Sequence, residues 1–500
     1  MGLIDILHKI AGILPVIKPP AKPLGTKERL MWTGVALVLY FLMYETVVFG
    51  VVQAPSTGGF DFLQTITASK MGSLLTTGIG PIVLASIFLQ LFVGAGLLSL
   101  NLKDKADKAK FLEVQKILAI ILAFAEALIF VVITKIIPVI AITGIDPTFL
   151  MALVVFQITI GSMFVLFLDE MVTKYGIGSG ISLFIAAGVS LSVFVGVVQL
   201  LFGSTGFVAI MSEGGGEALP NAILEMLPFG FTILVFLAVV YAEAVKVEIP
   251  IAFERVRGLV PKLPLKFFYV SNIPVIFASA LIINMQLFSA GLIGTQYWDK
   301  TTQESMPAFK TLSDTFQYDF SRDGILPLIG YTTIDGQLQD GLLYFFTPIS
   351  GLGRSTVDHY NFMFNQVTPI FHIPQWVHGI TYVLMLAAVS VMFGLFWVET
   401  ANMDAKSVAN QLSESGLQIP GFRRDPRMLE TILNKHIFPL TVMGSLAVGV
   451  LAGLADLTGA LGTGTGILLT VGILHRMYEQ LEQMKAFEMY PSFTRMLGEQ

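Results

Sequence analysis

A short polar segment, a backbone break and a long apolar helix follow one another between Phe60 and Val93, and this order restricts the fold more than any other feature. Residues Phe60 to Gly72 are too few and too polar to cross a bilayer, which requires about 20 apolar residues. The break is Gly78-Ile79-Gly80-Pro81, and an apolar helix is predicted from Ile82 to about Leu98. Irregular backbone at membrane depth is tolerated only where protein or a water-filled cavity satisfies its polar groups. The stretch therefore predicts a cavity, with a short polar helix lying in or over it.

The composition of the whole chain is typical of an all-α polytopic membrane protein. Hydrophobic residues make up 54% of the 500 residues and charged residues only 13%, with a mean hydropathy of +0.75. Soluble chains carry about 25% charged residues. The chain has no cysteine, which excludes disulfides and thiolate sites. A net charge of −5 does not suggest a nucleic-acid-binding protein at the level of the whole chain.

Hydropathy predicts ten membrane crossings. They are Leu30–Gly50, Leu74–Leu98, Phe111–Val139, Phe149–Met171, Ser179–Phe202, Ala222–Val245, Tyr269–Ile293, Gln375–Val398, His436–Leu457 and Ala460–Leu481.

The distribution of positive charge predicts the orientation. With both termini on one side, that side holds 24 of the 30 Lys and Arg residues. The positive-inside rule then places both termini in the cytoplasm. Ten helices divide into two halves of five with inverted orientation, and such halves place the working site at their interface. We therefore expect an N-terminal amphipathic helix and linker over 1–29, a first half over 30–203, a second half over 204–481 and a cytoplasmic tail over 482–500.

Three long loops stand out. The loops Val245–Phe268 and Glu399–Lys435 are basic and are predicted to be cytoplasmic. The segment Gly294–Pro374 is predicted to be external and to form a small capping structure of unspecified fold.

Six sequence runs resemble SecY, the large subunit of the protein-conducting channel, in its archaeal and eukaryotic form. The runs keep the family order and extend over almost the whole chain, whereas the long external loop departs from compact family members. The runs are Gln64–Ser69, Gly78–Val83, Leu168–Ile181, Val270–Ile276, Phe396–Thr400 and Arg476–Gln480.

The resemblance places six aliphatic residues in the pore ring of that family. Ile79 and Val83 are four residues apart, as are Ile181 and Ile185, so each pair shares a helix face. A ring of branched apolar side chains dewets, which blocks ions and water, and it contacts a passing chain without sequence preference. For each residue alone, ordinary helix packing is the simpler interpretation. The six residues are Ile79, Val83, Ile181, Ile185, Ile276 and Leu469.

The resemblance makes the polar segment before the break the plug, a re-entrant helix on the external side of the ring. Its polar composition favours a water-filled funnel over lipid. A re-entrant ion-channel filter is the alternative, although a filter requires repeated carbonyls or charges and the chain has one copy. The predicted plug residues are Phe60, Phe62, Leu63, Gln64, Thr65, Ile66, Thr67, Ser69 and Lys70.

The family opens sideways between its second and seventh helices. Glu126 lies inside the predicted third helix and Asn284 inside the seventh, and the resemblance places both in the polar cluster of this lateral gate. An acidic residue at a helix centre costs about 2.5–3.5 kcal/mol on insertion scales. Leu84 stands where relatives usually carry Thr or Ser. A Glu126 that is protonated or paired elsewhere in the bundle is the alternative.

The two basic loops are predicted to dock a ribosome, because clustered Lys and Arg attract RNA phosphates. Topology alone also explains positive loops. The selected residues are Arg255, Arg257, Arg423, Arg424 and Arg427.

The inventory of motifs does not favour an enzyme. The chain has no HExxH motif, no P-loop and no metal-ligand spacing among its six histidines, so neither a metal nor a cofactor is expected. Together with this inventory, the resemblance implies a passive channel for unfolded proteins in a prokaryotic, archaeal-type cell membrane, which releases membrane helices laterally into lipid. The resemblance implies two small single-helix subunits of the SecE/gamma and SecG/beta types, the ribosome, and signal sequences of nascent chains as partners. A secondary transporter of a small solute with inverted repeats is the alternative.

Overall fold

Long apolar helices form most of the part of the chain that the computed structural model describes. The description covers residues 15–22, 24–51, 61–94, 97, 98, 100, 104–133, 137–140, 146–214, 216, 218–250, 252–253, 262–270, 273–282, 284–285, 329–332, 338–349, 356–368, 371–414, 417–418 and 426–489. The amphipathic helix expected over Met1–Leu14 lies outside these residues, as does Phe60 of the expected plug.

The described residues of the first half form six helices. They are α1 (Thr26–Glu45), α2 (Asp61–Ile66), α3 (Gly80–Gly94), α4 (Lys105–Leu128, continued by a π-helical turn over Ile129–Ile133), α5 (Pro147–Tyr175) and α6 (Gly180–Phe202).

The second half contains further long helices, with short strands in its loops. The helices are α7 (Phe207–Glu213), α8 (Ala218–Glu225), α9 (Leu227–Ala244), α10 (Ile273–Ile282), α11 (Thr356–Asn365), α12 (Gln375–Thr400), α13 (Ala405–Glu414), α14 (Pro426–Leu457) and α15 (Gly464–Met489). The strands are β1 (Lys246–Pro250), β2 (Ala252–Phe253), β3 (Lys262–Lys266), β4 (Tyr331–Thr332), β5 (Leu338–Asp340) and β6 (Leu417–Gln418).

Each of the ten expected crossings contains helix in the described residues, although several boundaries were wrong. The second crossing begins at Gly80 rather than Leu74, because residues 74–79 form turns that bond to the preceding segment. The ninth begins at Pro426 rather than His436, so part of the expected 8–9 loop is helical. Among the described residues, six helices are long and apolar enough to cross a membrane by length and composition alone.

Strand pairing joins the two basic loops. β1 and β3 form an antiparallel hairpin within the 6–7 loop, with Lys246 opposite Lys266. β2 of the same loop pairs with β6 of the 8–9 loop, with Ala252 opposite Gln418 and Phe253 opposite Leu417. Because the second pairing crosses between loops, the two basic segments converge at one end of the helix bundle.

The segment expected to be a small external structure contains the β4–β5 pair, a 3₁₀ turn over Tyr344–Phe346 and α11 in its described parts. α11 contacts the turn between α14 and α15, where the Tyr360 hydroxyl donates to the Thr458 carbonyl at 3.3 Å. The segment therefore rests on the second half of the bundle.

One large apolar cluster unites the two halves. It takes buried side chains from α1, α3, α5 and α6 and from α9, α10, α12, α14 and α15. Because apolar surface is removed from water or lipid along this whole contact, the two halves form one packed body.

Candidate pore and gate

The polar segment after α2 is bonded to the residues that lead into α3. The Ile79 amide donates to the Thr67 carbonyl at 2.8 Å, and the Lys70 amide donates to the Leu75 carbonyl at 3.2 Å. The Leu74 amide reaches across to the Thr46 carbonyl after α1 at 2.9 Å. These bonds satisfy irregular backbone inside the bundle, as membrane depth requires.

Gly78 is required by this docking. Its φ of +54° lies in the left-handed region, which disfavours residues with a Cβ. A Cβ at this position would also collide with the Thr67 carbonyl oxygen. At the Gly/Pro break, the backbone of the polar segment therefore lies directly against the backbone that leads into α3.

Tyr40 of α1 holds the same segment from the other side. Its hydroxyl donates to the Ala68 carbonyl at 2.8 Å, and its ring stacks on Phe184 of α6 with centroids 4.9 Å apart. Tyr40 is fully buried. Sequence reasoning missed this residue, although a tyrosine hydroxyl in an otherwise apolar helix needs a buried partner and is a detectable signal.

The sequence predicts water-filled surroundings for the polar segment, and the structure buries three of its polar side chains while Gln64 and Lys70 stay partly exposed. Thr65, Thr67 and Ser69 are buried, and the Thr67 and Ser69 hydroxyls lie 2.7 Å apart. The Gln64 side-chain oxygen accepts from the Met71 amide at 3.0 Å. The polarity serves internal hydrogen bonds, since a buried polar group without a partner is destabilising. α2 covers Asp61–Ile66, half the length expected for the short helix.

The six residues predicted for the ring belong to the single large cluster. Ile79, Val83, Ile185 and Leu469 are buried, while Ile181 and Ile276 are partly buried and pack against the cluster. They come from four elements: the turn and start of α3, then α6, α10 and α15. Ile79 precedes α3 rather than lying within it, and the Val83 amide donates to its carbonyl at 3.1 Å.

Glu126 lies deep in α4, with 4% of its surface exposed. Its carboxylate faces the start of α3, about 3.6 Å from where a Cβ on Gly80 would sit. One carboxylate oxygen, Oε1, receives no hydrogen bond from the described residues. A buried carboxyl of this kind is costly to ionise, so it is sensitive to any change in the packing of α3 against α4.

Asn284, just after α10, is also buried, and its side-chain amide donates to the Ala280 carbonyl at 2.8 Å. α3 and α10 both contribute to the central cluster, and α3 also contacts α12. Leu84 is fully buried. The helices predicted to flank a lateral opening therefore share one apolar cluster in this structure.

Of the five arginines predicted for docking, Arg427 is exposed at the start of α14. Arg255, Arg257, Arg423 and Arg424 lie outside the described residues. Arg255 follows β2 by two positions, and Arg423 follows β6 by five. The β2–β6 pairing thus brings the chain close together just before both basic runs.

The SecY family model matches residues 73–478. The protein translocase subunit SecY of Methanocaldococcus jannaschii is 41% identical over 497 residues, with 99% of each chain covered. The SecY subunit of Pyrococcus furiosus is 35% identical over 520 residues, with all of each chain covered.

Solved structures give the same result. One structure of a protein-conducting channel is 40% identical, covers 98% of this chain and 99% of its own, and superposes with a TM-score of 0.75. Sec61 in the canine ribosome–channel complex is 40% identical, with the same coverage and a TM-score of 0.73. A SecY structure concerned with the plug domain and the membrane seal is 39% identical, with a TM-score of 0.73.

Proposed function

Because this chain belongs to the SecY family, we propose how its own residues close and open a protein-conducting channel. The chain is the pore-forming subunit of a protein translocation channel in a membrane. The observation that carries the assignment is a match to channel subunits over its full length at about 40% identity.

Ile79, Val83, Ile181, Ile185, Ile276 and Leu469 form the seal in this proposal. Support comes from their common place in one apolar cluster and from their origin in four different elements of both halves. Aliphatic side chains have no directional bonds to break, so a passing chain of any sequence can displace them and they close again afterwards.

Residues 60–72 are the plug, of which the structure describes 61–72. Hydrogen bonds from Ile79 and Tyr40 to its backbone support a docked, closed position. The bond from Ile79 connects plug and seal directly, since Ile79 is also a ring residue. Movement of the ring during opening therefore weakens plug docking at the same time.

Glu126 and Asn284 mark the lateral gate, through which membrane segments leave for the lipid. Both are buried polar residues on helices that pack against α3 or belong to its cluster. Separation of α3 from α10 would expose both polar groups to lipid, which is costly. This cost favours a gate that stays closed until a membrane segment enters the gap.

The basic 6–7 and 8–9 loops dock the ribosome through Arg255, Arg257, Arg423, Arg424 and Arg427. Convergence of the loops through β2 and β6 supports one continuous basic surface. The canine relative was solved as a ribosome–channel complex. Both termini lie on the same cytoplasmic side, and small membrane subunits of the SecE and SecG types complete the channel.

Reconstitution tests the proposal. Purified channel with the two small subunits, placed in vesicles with ribosomes translating a secretory precursor, is expected to transfer the precursor to a protease-protected lumen. Replacing the four loop arginines 255, 257, 423 and 424 by Glu is expected to weaken ribosome binding, most strongly at low salt. Saturable uptake of a small solute without precursor transfer would instead support a secondary transporter.

A further inference from the structure

The chain that leads into α12 carries apolar side chains that the structure leaves exposed. Val367 is 50% exposed, Phe371 41% and Trp376 44%, and Trp376 is the second residue of α12. We propose that these three residues, the interfacial cluster, dock into the headgroup region of the lipid bilayer at the N-terminal end of α12. This inference is independent of the proposed roles of ring, plug and gate.

The first argument is continuity with the lipid-facing side of α12. Trp376, Ile380, Leu384, Ala388 and Met392 follow at intervals of four residues, and all are exposed. Residues four apart share a helix face. Lipid covers this face in a helix that crosses the membrane, so Trp376 lies at the end of a lipid-covered surface. Tryptophan is enriched at that depth, because its ring is apolar and its N–H is polar.

The second argument is the absence of charge. Residues 359–398 contain no Asp, Glu, Lys or Arg, a run of 40 residues. α12 contains 24 of them, which is already enough to cross a bilayer core. The remaining 16 residues precede α12, and a segment of this length in water would not need to lack charged residues. The charge-free run therefore extends beyond the membrane-crossing helix into the segment that carries Val367 and Phe371.

The third argument is the backbone around the cluster. An antiparallel bridge joins Val367 to Pro374. Within it the Thr368 amide donates to the Ile373 carbonyl at 2.9 Å, and the Phe371 amide donates to the Asp340 carboxylate at 3.0 Å. Internal bonds of this kind let irregular backbone approach lipid without unsatisfied polar groups.

Two other coverings are conceivable, water and a protein partner, and a labelling experiment separates them. The chain has no cysteine, so one introduced cysteine is the only thiol. Phe371→Cys and Trp376→Cys, each with a nitroxide label, are placed in the full chain in phospholipid nanodiscs. Ala388→Cys provides the deep-lipid reference, and Asp358→Cys, on the exposed side of α11, provides the aqueous reference. Collision with oxygen, which partitions into lipid, is compared with collision with a water-soluble nickel chelate.

The proposal expects positions 371 and 376 to give oxygen-to-chelate ratios between the two references, several-fold above that of position 358. Ratios equal to that of position 358 would place the cluster in water and overturn the proposal. Low collision with both reagents would mean that protein covers the cluster, and would overturn it equally.

A second measurement keeps the native side chain, in case the labelled variants fold poorly. In a variant with Trp376 as the only tryptophan (Trp32→Phe, Trp298→Phe and Trp397→Phe), fluorescence is recorded in bilayers of lipids brominated at different acyl positions. The strongest quenching is expected from bromines nearest the headgroup. Absence of quenching by every brominated lipid would contradict the proposal.

Discussion

In the proposed function, the plug and the ring close the same path by different physical interactions. The plug is a short segment whose polar groups are buried and paired, held by individual bonds such as Tyr40 to Ala68 and Ile79 to Thr67. The ring is a set of aliphatic side chains inside a large apolar cluster, and aliphatic side chains form no hydrogen bonds with one another.

Because of this difference, the plug has one specific docked position, whereas the ring tolerates passing chains of varied sequence. Directional bonds fix one docked position and can be removed one at a time, each net contribution being about 0.5–1.5 kcal/mol. Apolar packing is spread over many contacts, so the ring can open around varied chains and close again. We therefore expect substitutions in the ring to act through the total side-chain volume that they remove. Substitutions in the plug should act through the individual hydrogen bond that each one removes.

The largest effect is expected from removing ring bulk. Simultaneous Ile79→Ser, Val83→Ser and Ile276→Ser should let water enter the constriction and raise resting ion conductance by on the order of tenfold or more. Planar-bilayer recordings of the purified channel measure this.

The control makes the same three changes at exposed aliphatic positions, Leu384→Ser, Leu454→Ser and Leu474→Ser. The control channel should stay closed. Equal leakage from both variants would mean that general destabilisation, rather than loss of the ring, opens the pore.

A smaller effect is expected from Tyr40→Phe, which keeps the ring stacked on Phe184 and removes only the hydroxyl. Loss of one buried hydrogen bond of about 1 kcal/mol should raise the undocked population of the plug about fivefold. The rate at which a thiol reagent labels Ser69→Cys measures how often the plug undocks. Unchanged access would show that Tyr40 does not hold the plug.

The smallest effect is expected from Lys70→Met. Lys70 of the plug pairs with Glu45 at 2.6 Å, but the Glu45 side chain is 67% exposed. Exposed ion pairs contribute little and are screened by salt. Access to the plug should change by less than about twofold, and salt should reduce even this difference. If Lys70→Met increased access to the plug more than Tyr40→Phe does, the ion pair would hold the plug more strongly than the Tyr40 hydrogen bond, contrary to this expectation.

The sequence predicts the helices well because apolar runs of this length have few alternatives in a membrane. The Gly78–Pro81 break was also readable, since a glycine beside a proline interrupts helix. The contact that makes a glycine necessary at position 78 could not be predicted from the sequence. It is the close approach of the Thr67 carbonyl, 11 residues away, and only the folded structure shows it.

Two features of the structure depend on contacts distant in sequence. Tyr40 meets Ala68 across 28 residues, and β2 meets β6 across more than 160. Local composition of the plug pointed to water, whereas its polar groups bond to one another and to neighbouring backbone. Polarity alone cannot distinguish a wet segment from one whose partners are supplied by tertiary structure.

The most direct test of the account is to fasten the plug to the bundle. Ala68 lies beside Gly188 of α6: a Cβ on Gly188 would be 3.3 Å from the Ala68 Cβ, close to the separation found in disulfides. With no native cysteine, Ala68→Cys with Gly188→Cys forms a unique pair. Precursor transfer into vesicles is then measured in oxidant and in reductant, with each single variant as control. The account predicts that oxidation blocks transfer in the double variant only and that reduction restores it; undiminished transfer with the disulfide formed would contradict it.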